Sequence, residues 1–197
     1  MGRQKYLKYL ERLFNNSPVV SYNSIQRLIN DKKKVKQYTK QLIKNLIAKG
    51  KIKKLTKGFY SIHDESSLAV FCFKPAYLGL QDALSFHNIW EQETIPVIIT
   101  TRNIRSGLRK VLGTNILIRK INKKYFLGFE YYQSNNFFLP YSDIEKTFID
   151  MIYFNQKLDK ETLNNFKKII NKEKLKKYIK LYPKKYKFQI NKILNLS

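Results

Sequence analysis

The sequence predicts an α+β protein: an N-terminal winged helix-turn-helix, a small mixed α+β domain, and a helical, basic C-terminal tail. Three observations carry this. The first 62 residues run helix, helix, basic helix, glycine, basic hairpin. Beyond them short apolar strands alternate with amphipathic helices. The positive charge sits at the two ends, with a net of about +12 over residues 1–67, about +3 over 68–154 and about +10 after 154. The expected division is therefore 1–62 for the winged helix, 63–67 (His-Asp-Glu-Ser-Ser) as linker, 68–154 for the mixed domain and 155–197 for the tail.

Composition narrows the class. A hydrophobic content of 43%, with 14% aromatic, is enough for a core and excludes a disordered chain. The 39 Lys and Arg against 14 Asp and Glu leave a formal charge of +25, which calls for a polyanionic partner. An AT-rich coding bias would raise Glu along with Lys, and Glu is scarce, so selection for positive charge is the better account. A single cysteine, Cys72, excludes an internal disulfide, and with only His63 and His87 beside it no cluster is spaced to hold zinc. The N-terminus is amphipathic without a signal-peptide apolar block. Tyr6 stands where a myristoylation signal wants Ser or Thr, and no run reaches the length of a membrane span. A soluble cytoplasmic protein is expected, with no membrane partner.

In the N-terminal segment, Tyr6, Leu7, Leu10, Leu13 and Phe14 recur at helical spacing. Asn15 to Pro18 break that helix, Val19 and Val20 suit a short strand, and Ser21 is placed to cap a second helix carrying Ile25, Leu28 and Ile29. After a turn at Asn30 and Asp31, a third helix puts Val35, Tyr38, Leu42, Ile43, Leu46 and Ile47 on one side. Lys33, Gln37, Lys40, Gln41 and Lys44 fall on the other, a face of amides and ammonium groups suited to a major groove. Gly50 closes the helix. Ile52 and Leu55 then form one strand, Thr56, Lys57 and Gly58 a turn, and Phe59, Tyr60 and Ile62 the returning strand.

The assigned DNA contacts are Lys33, Lys36, Gln37, Lys40, Gln41 and Lys44 on the helix, and Lys51, Lys53, Lys54 and Lys57 on the hairpin. Any one lysine is as well explained by solvation. The ordered combination of helices, glycine and hairpin is what points to nucleic acid.

In the middle domain, residues 68–73 read as a short apolar strand, followed by a helix through Leu80, Ala83, Leu84 and His87. Residues 96–101 and 115–121 read as buried strands, and 125–132 and 137–139 as antiparallel strands around a polar turn at 133–136. Ser142, Asp143, Ile144 and Glu145 read as a capping box opening a helix with Ile144, Phe148, Met151 and Ile152 inward. Arg102, Arg105, Arg109 and Lys110 form a second basic patch in the loop 101–113, for nucleic acid, a partner protein or only solvent. The tail reads as three helices with lysine-rich outer faces, packed on the middle domain.

Asp143, Glu145 and Asp150 are the only acidic cluster that invites a metal. The first two sit in the first turn of a helix, where they cap amides, and Asp150 is spaced to pair with Lys146. The histidines and Cys72 lack partners at triad spacing, and no phosphate-binding or dinucleotide motif occurs. No catalytic residue, metal site or cofactor is assigned, and an enzyme is not expected. The alternatives to a DNA-binding regulator are a toxin-neutralising interaction protein whose DNA contact is secondary, and a Mg²⁺-dependent endonuclease using Asp143, Glu145 or Glu130.

The segment from Leu46 through Gly50 to Ile52, followed by Leu55-Thr56-Lys57-Gly58-Phe59-Tyr60, resembles the winged helix of AbiEi-type regulators, the antitoxin side of AbiE abortive-infection toxin-antitoxin systems. Tyr77-Leu78-Gly79-Leu80-Gln81-Asp82-Ala83-Leu84-Ser85 is similar to that family's helix after the linker, and the strand ending in Thr100-Thr101 to its paired-threonine strand. Ser142 to Asp150 resembles its Asp-Pro-Glu-Lys-Ala motif, with Ile144 where the family often has Pro. The resemblance covers about residues 42–154. It implies an N-terminal domain that represses its own operon at inverted repeats, and a C-terminal domain that counteracts a toxin of nucleotidyltransferase type. Two-fold operators favour two copies per site.

Overall fold

The computed structural model describes residues 2–29, 35–134 and 137–194; Lys33, the expected turn at Asn30 and Asp31, and Asn135 and Asn136 lie outside them. The fold is mixed α+β. It divides into two compact units, Met1–Cys72 with Lys110–Thr114, and Phe73–Arg109 with Asn115–Ser197.

The first unit has helices α1 (Gly2–Asn16), α2 (Tyr22–Ile29) and α3 (Val35–Ala48), with strands β1 (Val20–Ser21), β2 (Lys53–Thr56) and β3 (Phe59–Ser61). The strands form an antiparallel sheet in the order β1-β3-β2, with Val20 opposite Tyr60 and Lys53 opposite Ser61. Ser21 begins α2 by accepting a hydrogen bond from the Ser24 amide at 3.0 Å, as its capping role requires. Gly50, at φ +65°, ends α3. Its amide reaches Ile47 O and the Lys51 amide reaches Leu46 O, both at 2.9 Å, which is the Schellman pairing that a left-handed glycine permits. Leu10 and Phe14 of α1, Ile25 and Ile29 of α2, and Ile43 and Leu46 of α3 meet Val20, Ile52 and Tyr60 in one core. The inward line of α3 is Thr39, Ile43 and Leu46. Tyr38 and Ile47, expected inside, are 36% and 38% exposed, because the small Thr39 takes the i, i+4, i+7 stripe instead.

Residues expected as a strand at 68–73 belong to a 3₁₀ helix, Ser66–Phe73. A short continuous apolar run is buried on every side in either geometry, so its pattern carries no period.

A six-stranded mixed sheet in the order β6-β7-β5-β4-β9-β8 supplies the strands of the second unit, with Lys110 and Val111 of β6 and Thr114 of β7 falling in the first. The strands are β4 (Ala76–Leu78), β5 (Val97–Thr100), β6 (Gly107–Val111), β7 (Thr114–Lys120), β8 (Phe129–Ser134) and β9 (Phe137–Ser142). β4 runs antiparallel to β5 and parallel to β9, β5 is parallel to β7, and β8 and β9 make an antiparallel pair. β6 lies within the segment expected as loop. Leu108, Arg109 and Lys110 are all exposed, so no alternation marks the strand. Residues 125–128, expected as strand, precede β8, and Tyr125 closes a 3₁₀ turn over Lys123–Tyr125.

The helices are α4 (Gln81–Phe86), α5 (Ile144–Tyr153), α6 (Lys160–Ile169), α7 (Lys172–Ile179) and α8 (Lys184–Leu194). α5 packs against β9, α6, α7 and α8. Phe166, Leu175, Ile179, Ile190 and Leu194 of the last three helices share one core with Tyr77, Leu80, Phe148 and Met151, so the basic tail supplies part of the second unit's interior. Among the described residues no helix is long and apolar enough to cross a membrane.

Candidate nucleic-acid interface

Residues 32–63 contain eleven lysines and no acidic residue. With Thr39, Ile43 and Leu46 fixed in the core, α3 must present Lys36, Gln37, Lys40, Gln41, Lys44 and Asn45 to solvent, and all six are exposed. At about 100° per residue, Gln37, Gln41 and Lys44 form the centre line of that face, with Lys40 on one flank and Asn45 on the other. Gln41 Nε2 donates to Asn45 Oδ1 at 2.9 Å. That bond holds the amide while leaving Oε1 and the second N–H available, the donor and acceptor pair that matches an adenine edge. Asn45 had no place in the sequence-derived set; its i+4 spacing from Gln41 was the available signal. Tyr22 Oη donates to the Lys36 carbonyl at 3.3 Å, tying α2 to the first turn of α3.

The β2–β3 hairpin follows directly. Gly58, at φ +81°, supplies the turn, and the register shifts between Lys54 and Thr56. Lys51, Lys54 and Lys57 are exposed. Lys53 differs: its Nζ lies 2.5 Å from Asp64 Oδ2, so an internal carboxylate competes for it. Such an exposed pair is weak, about 0–1 kcal/mol, and a phosphate can displace it. Lys33, the remaining member of the sequence-derived set, is outside the described residues.

Arg102 and Arg105 lie between β5 and β6, and Arg109 and Lys110 in β6, all four exposed. Arg109 Nη2 donates to the Arg105 carbonyl at 2.9 Å, and its guanidinium lies 5.5 Å from the Phe73 ring centre. Two of the arginines are thus held together by backbone and ring contacts rather than by acids.

The carboxylates weighed for metal chemistry are occupied by protein donors. Asp143, one residue after the Ser142 that opens the expected capping box, caps α5 by accepting from the Lys146 amide at 2.8 Å. Its other oxygen accepts from Tyr178 Oη at 2.8 Å and meets Lys174 Nζ at 3.0 Å. Glu145 accepts from the Asn171 amide at 2.7 Å, and Lys174 also lies 3.6 Å from Glu145 and 3.7 Å from Glu130. One ammonium therefore serves three carboxylates. Burial alone would lower the Lys174 pKa, but the hydrogen bond and charge of Asp143, with Tyr178 and Glu145, raise it on balance.

Asp150, fully buried, pairs with Lys146 Nζ, accepts from Tyr77 Oη at 2.7 Å, and shares the ammonium with Tyr182 Oη at 2.9 Å. Burial pushes the Asp150 pKa up and the Lys146 pKa down, each opposed by the charge of the other. Among the described residues no group of three or more His, Cys, Asp or Glu is arranged to hold a metal ion. Cys72 is buried, and burial pushes its thiol up to about 11, so it is not a nucleophile at neutral pH.

On α3 and the hairpin the exposed side chains form a cationic surface with amides at its centre. No protein-family model matches the chain, and no curated protein matches it.

Proposed function

We propose that the first unit is a winged helix-turn-helix that binds double-stranded DNA with sequence preference, and that the protein is a transcriptional regulator. The observation that carries this is the exposed line of Gln37, Gln41 and Lys44 on α3, bordered by further lysines and followed by a basic hairpin, with no acid between them. The order of helices and strands supports the same reading, with α3 as the groove helix and β2–β3 as the wing. Gln37 and Gln41 read base edges; Lys36, Lys40 and Lys44 contact bases or phosphates; and Lys51, Lys54 and Lys57 hold the backbone, joined by Lys53 when Asp64 releases it.

The test is selection of bound fragments from a random duplex pool, followed by titration at several salt concentrations. A two-fold repeated site is expected. Gln41→Ala should relax preference at one position, at a cost of about 1–3 kcal/mol for the preferred base. Lys54→Ala should weaken all duplexes alike and lower the salt slope by about 1. Equal affinity for every duplex at physiological salt would refute the sequence-specific form.

The resemblance to AbiEi-type regulators extends the proposal to an autorepressing antitoxin in the cytoplasm, bound as two copies to an inverted repeat and opposing a toxin of nucleotidyltransferase type. Co-expression of the full chain with such a toxin from a neighbouring gene tests that part. Protection that survives Gln37→Ala and Gln41→Ala assigns the antitoxin activity to something other than operator binding, and absence of protection removes it.

A further inference from the structure

We propose that α7 carries a second nucleic-acid-binding surface, in which Lys172, Lys176 and Lys180 grip the phosphate backbone of a duplex without reading its sequence. The three residues follow one another at i, i+4 and i+8 on the helix and its C-cap. Lys180 keeps helical angles (φ −54°, ψ −31°), so the row continues to the end. All three are exposed, while Leu175 and Ile179, about 80° round the helix from the middle of the row, are held in the core, so the row borders the buried face. Eight residues of helical rise make a stripe about 12 Å long. Each strand of a duplex presents about one negative charge per 3.4 Å of axis, so the stripe spans on the order of three to four phosphates of one strand.

The helix holds this row against its own interest. Like charges four residues apart repel, and Lys172 stands at the first position of the helix, where the positive end of the dipole disfavours a cation. Glu173, the carboxylate on α7 itself, lies three residues before Lys176 but forms no ion pair with any of the three among the described residues. The lysine of α7 that meets acids is Lys174, which serves Asp143, Glu145 and Glu130, and no Asp or Glu occurs after Glu173. None of the three stripe lysines forms an ion pair among the described residues. An external polyanion supplies what the fold does not.

The geometry selects the partner. An anionic membrane would need an apolar face on the same helix, and that face is already buried. An acidic protein would be held by aromatic or arginine anchors, and the stripe has neither. A row of flexible ammonium groups suits a regular line of phosphates. The proposal stands apart from base reading by α3, since it concerns the second unit and a sequence-independent contact.

The experiment uses the full chain with Gln37→Ala, Lys40→Ala, Gln41→Ala and Lys44→Ala as background and a random-sequence duplex as probe. Fluorescence anisotropy is followed against salt. Adding Lys172→Gln, Lys176→Gln and Lys180→Gln should lower the log–log salt slope by about 2–3 and weaken low-salt binding by about tenfold or more. Adding Lys123→Gln, Lys124→Gln and Lys157→Gln removes the same charge elsewhere and should leave the slope close to that of the background. In the unmodified protein, bound duplex should shield Lys172, Lys176 and Lys180 from acetylation, a readout that needs no variant to fold.

Equal effects of the two triple variants, unshielded stripe lysines, or capture of anionic vesicles in place of duplex would each overturn the proposal. Loss of sequence preference at α3 would leave all of these readings unchanged, so the two failures are distinguishable.

Discussion

Lys146→Met should be among the most damaging single changes in the second unit. Lys146 and Asp150 are both 0% exposed, and the Lys146 ammonium bonds to Asp150 and to Tyr182 Oη at 2.9 Å. Methionine keeps the length of the side chain and removes the charge. Asp150 is then left with the Tyr77 hydroxyl, at 2.7 Å, as its hydrogen-bond donor, in a site closed to water. Breaking a buried pair from one side costs about 3–5 kcal/mol, because the remaining charge is uncompensated. In a unit of this size that lowers the melting temperature by roughly 10–20 °C.

Trp90 is the single tryptophan and packs against the second unit's core, so its fluorescence during denaturant unfolding reports on that unit. The pH dependence has a definite sign. Without the ammonium, the folded-state pKa of Asp150 rises further above its unfolded value, so stability is lost as pH rises through the folded pKa and regained below the unfolded one. The penalty at neutral pH should therefore shrink on acidification. Lys146→Met with Asp150→Leu should recover much of the loss, since an apolar pair leaves no orphaned charge. A Trp90 transition shifted by less than about 1 kcal/mol, the worth of an exposed pair, would refute the reasoning.

Gly128 adopts φ +66°, and a Cβ there would stand 2.7 Å from a Tyr178 ring carbon and 2.9 Å from Lys146 Cβ. Gly128→Ala should cost about 2 kcal/mol or more by the same Trp90 measurement, and a neutral result would mean α7 moves freely on α5. Burial, then the hydrogen bond and charge of Asp143, pushes Tyr178 up to about 12, and Lys174 is raised as well. A raised folded pKa contributes stability that is complete below the unfolded tyrosine value of about 10 and is lost as pH climbs through about 12. The denaturation midpoint of the second unit should fall over that range, and Tyr178→Phe should make the fall shallower; an unchanged slope would sink the assignment. Asp64→Asn releases Lys53 from its 2.5 Å partner, so duplex binding should tighten and its salt slope steepen by about 1. An unaltered slope would show that Lys53 does not reach phosphate.

Several local features were readable directly. Ser21 before an apolar-periodic run and Gly50 after one act within a few residues of chain, and both do what their chemistry requires. The i, i+4 spacing of Lys146 and Asp150 likewise announced a pair. Their complete burial was invisible, because it depends on Tyr77 and Tyr182, 69 and 36 residues from Lys146. β6 was hidden for the opposite reason: as an edge strand with three successive exposed side chains, it has no inward set to impose alternation.

The α3 face illustrates how the two levels divide. Its lysines and glutamines were assigned to the outer side from helical periodicity, which is a property of the chain. Which apolar residues turn inward was settled by the core, where Thr39 fits against the other helices and Tyr38 does not. The tail divides in the same way. Amphipathic spacing specifies three helices with lysines outward, since that pattern repeats within single turns. That Phe166, Leu175 and Ile190 complete the second unit's core, and that Lys174 is consumed by three carboxylates while Lys172, Lys176 and Lys180 stay open, follows only when residues far apart in sequence come within contact distance. Periodicity reports which side of an element is apolar, and long-range packing decides what that side meets.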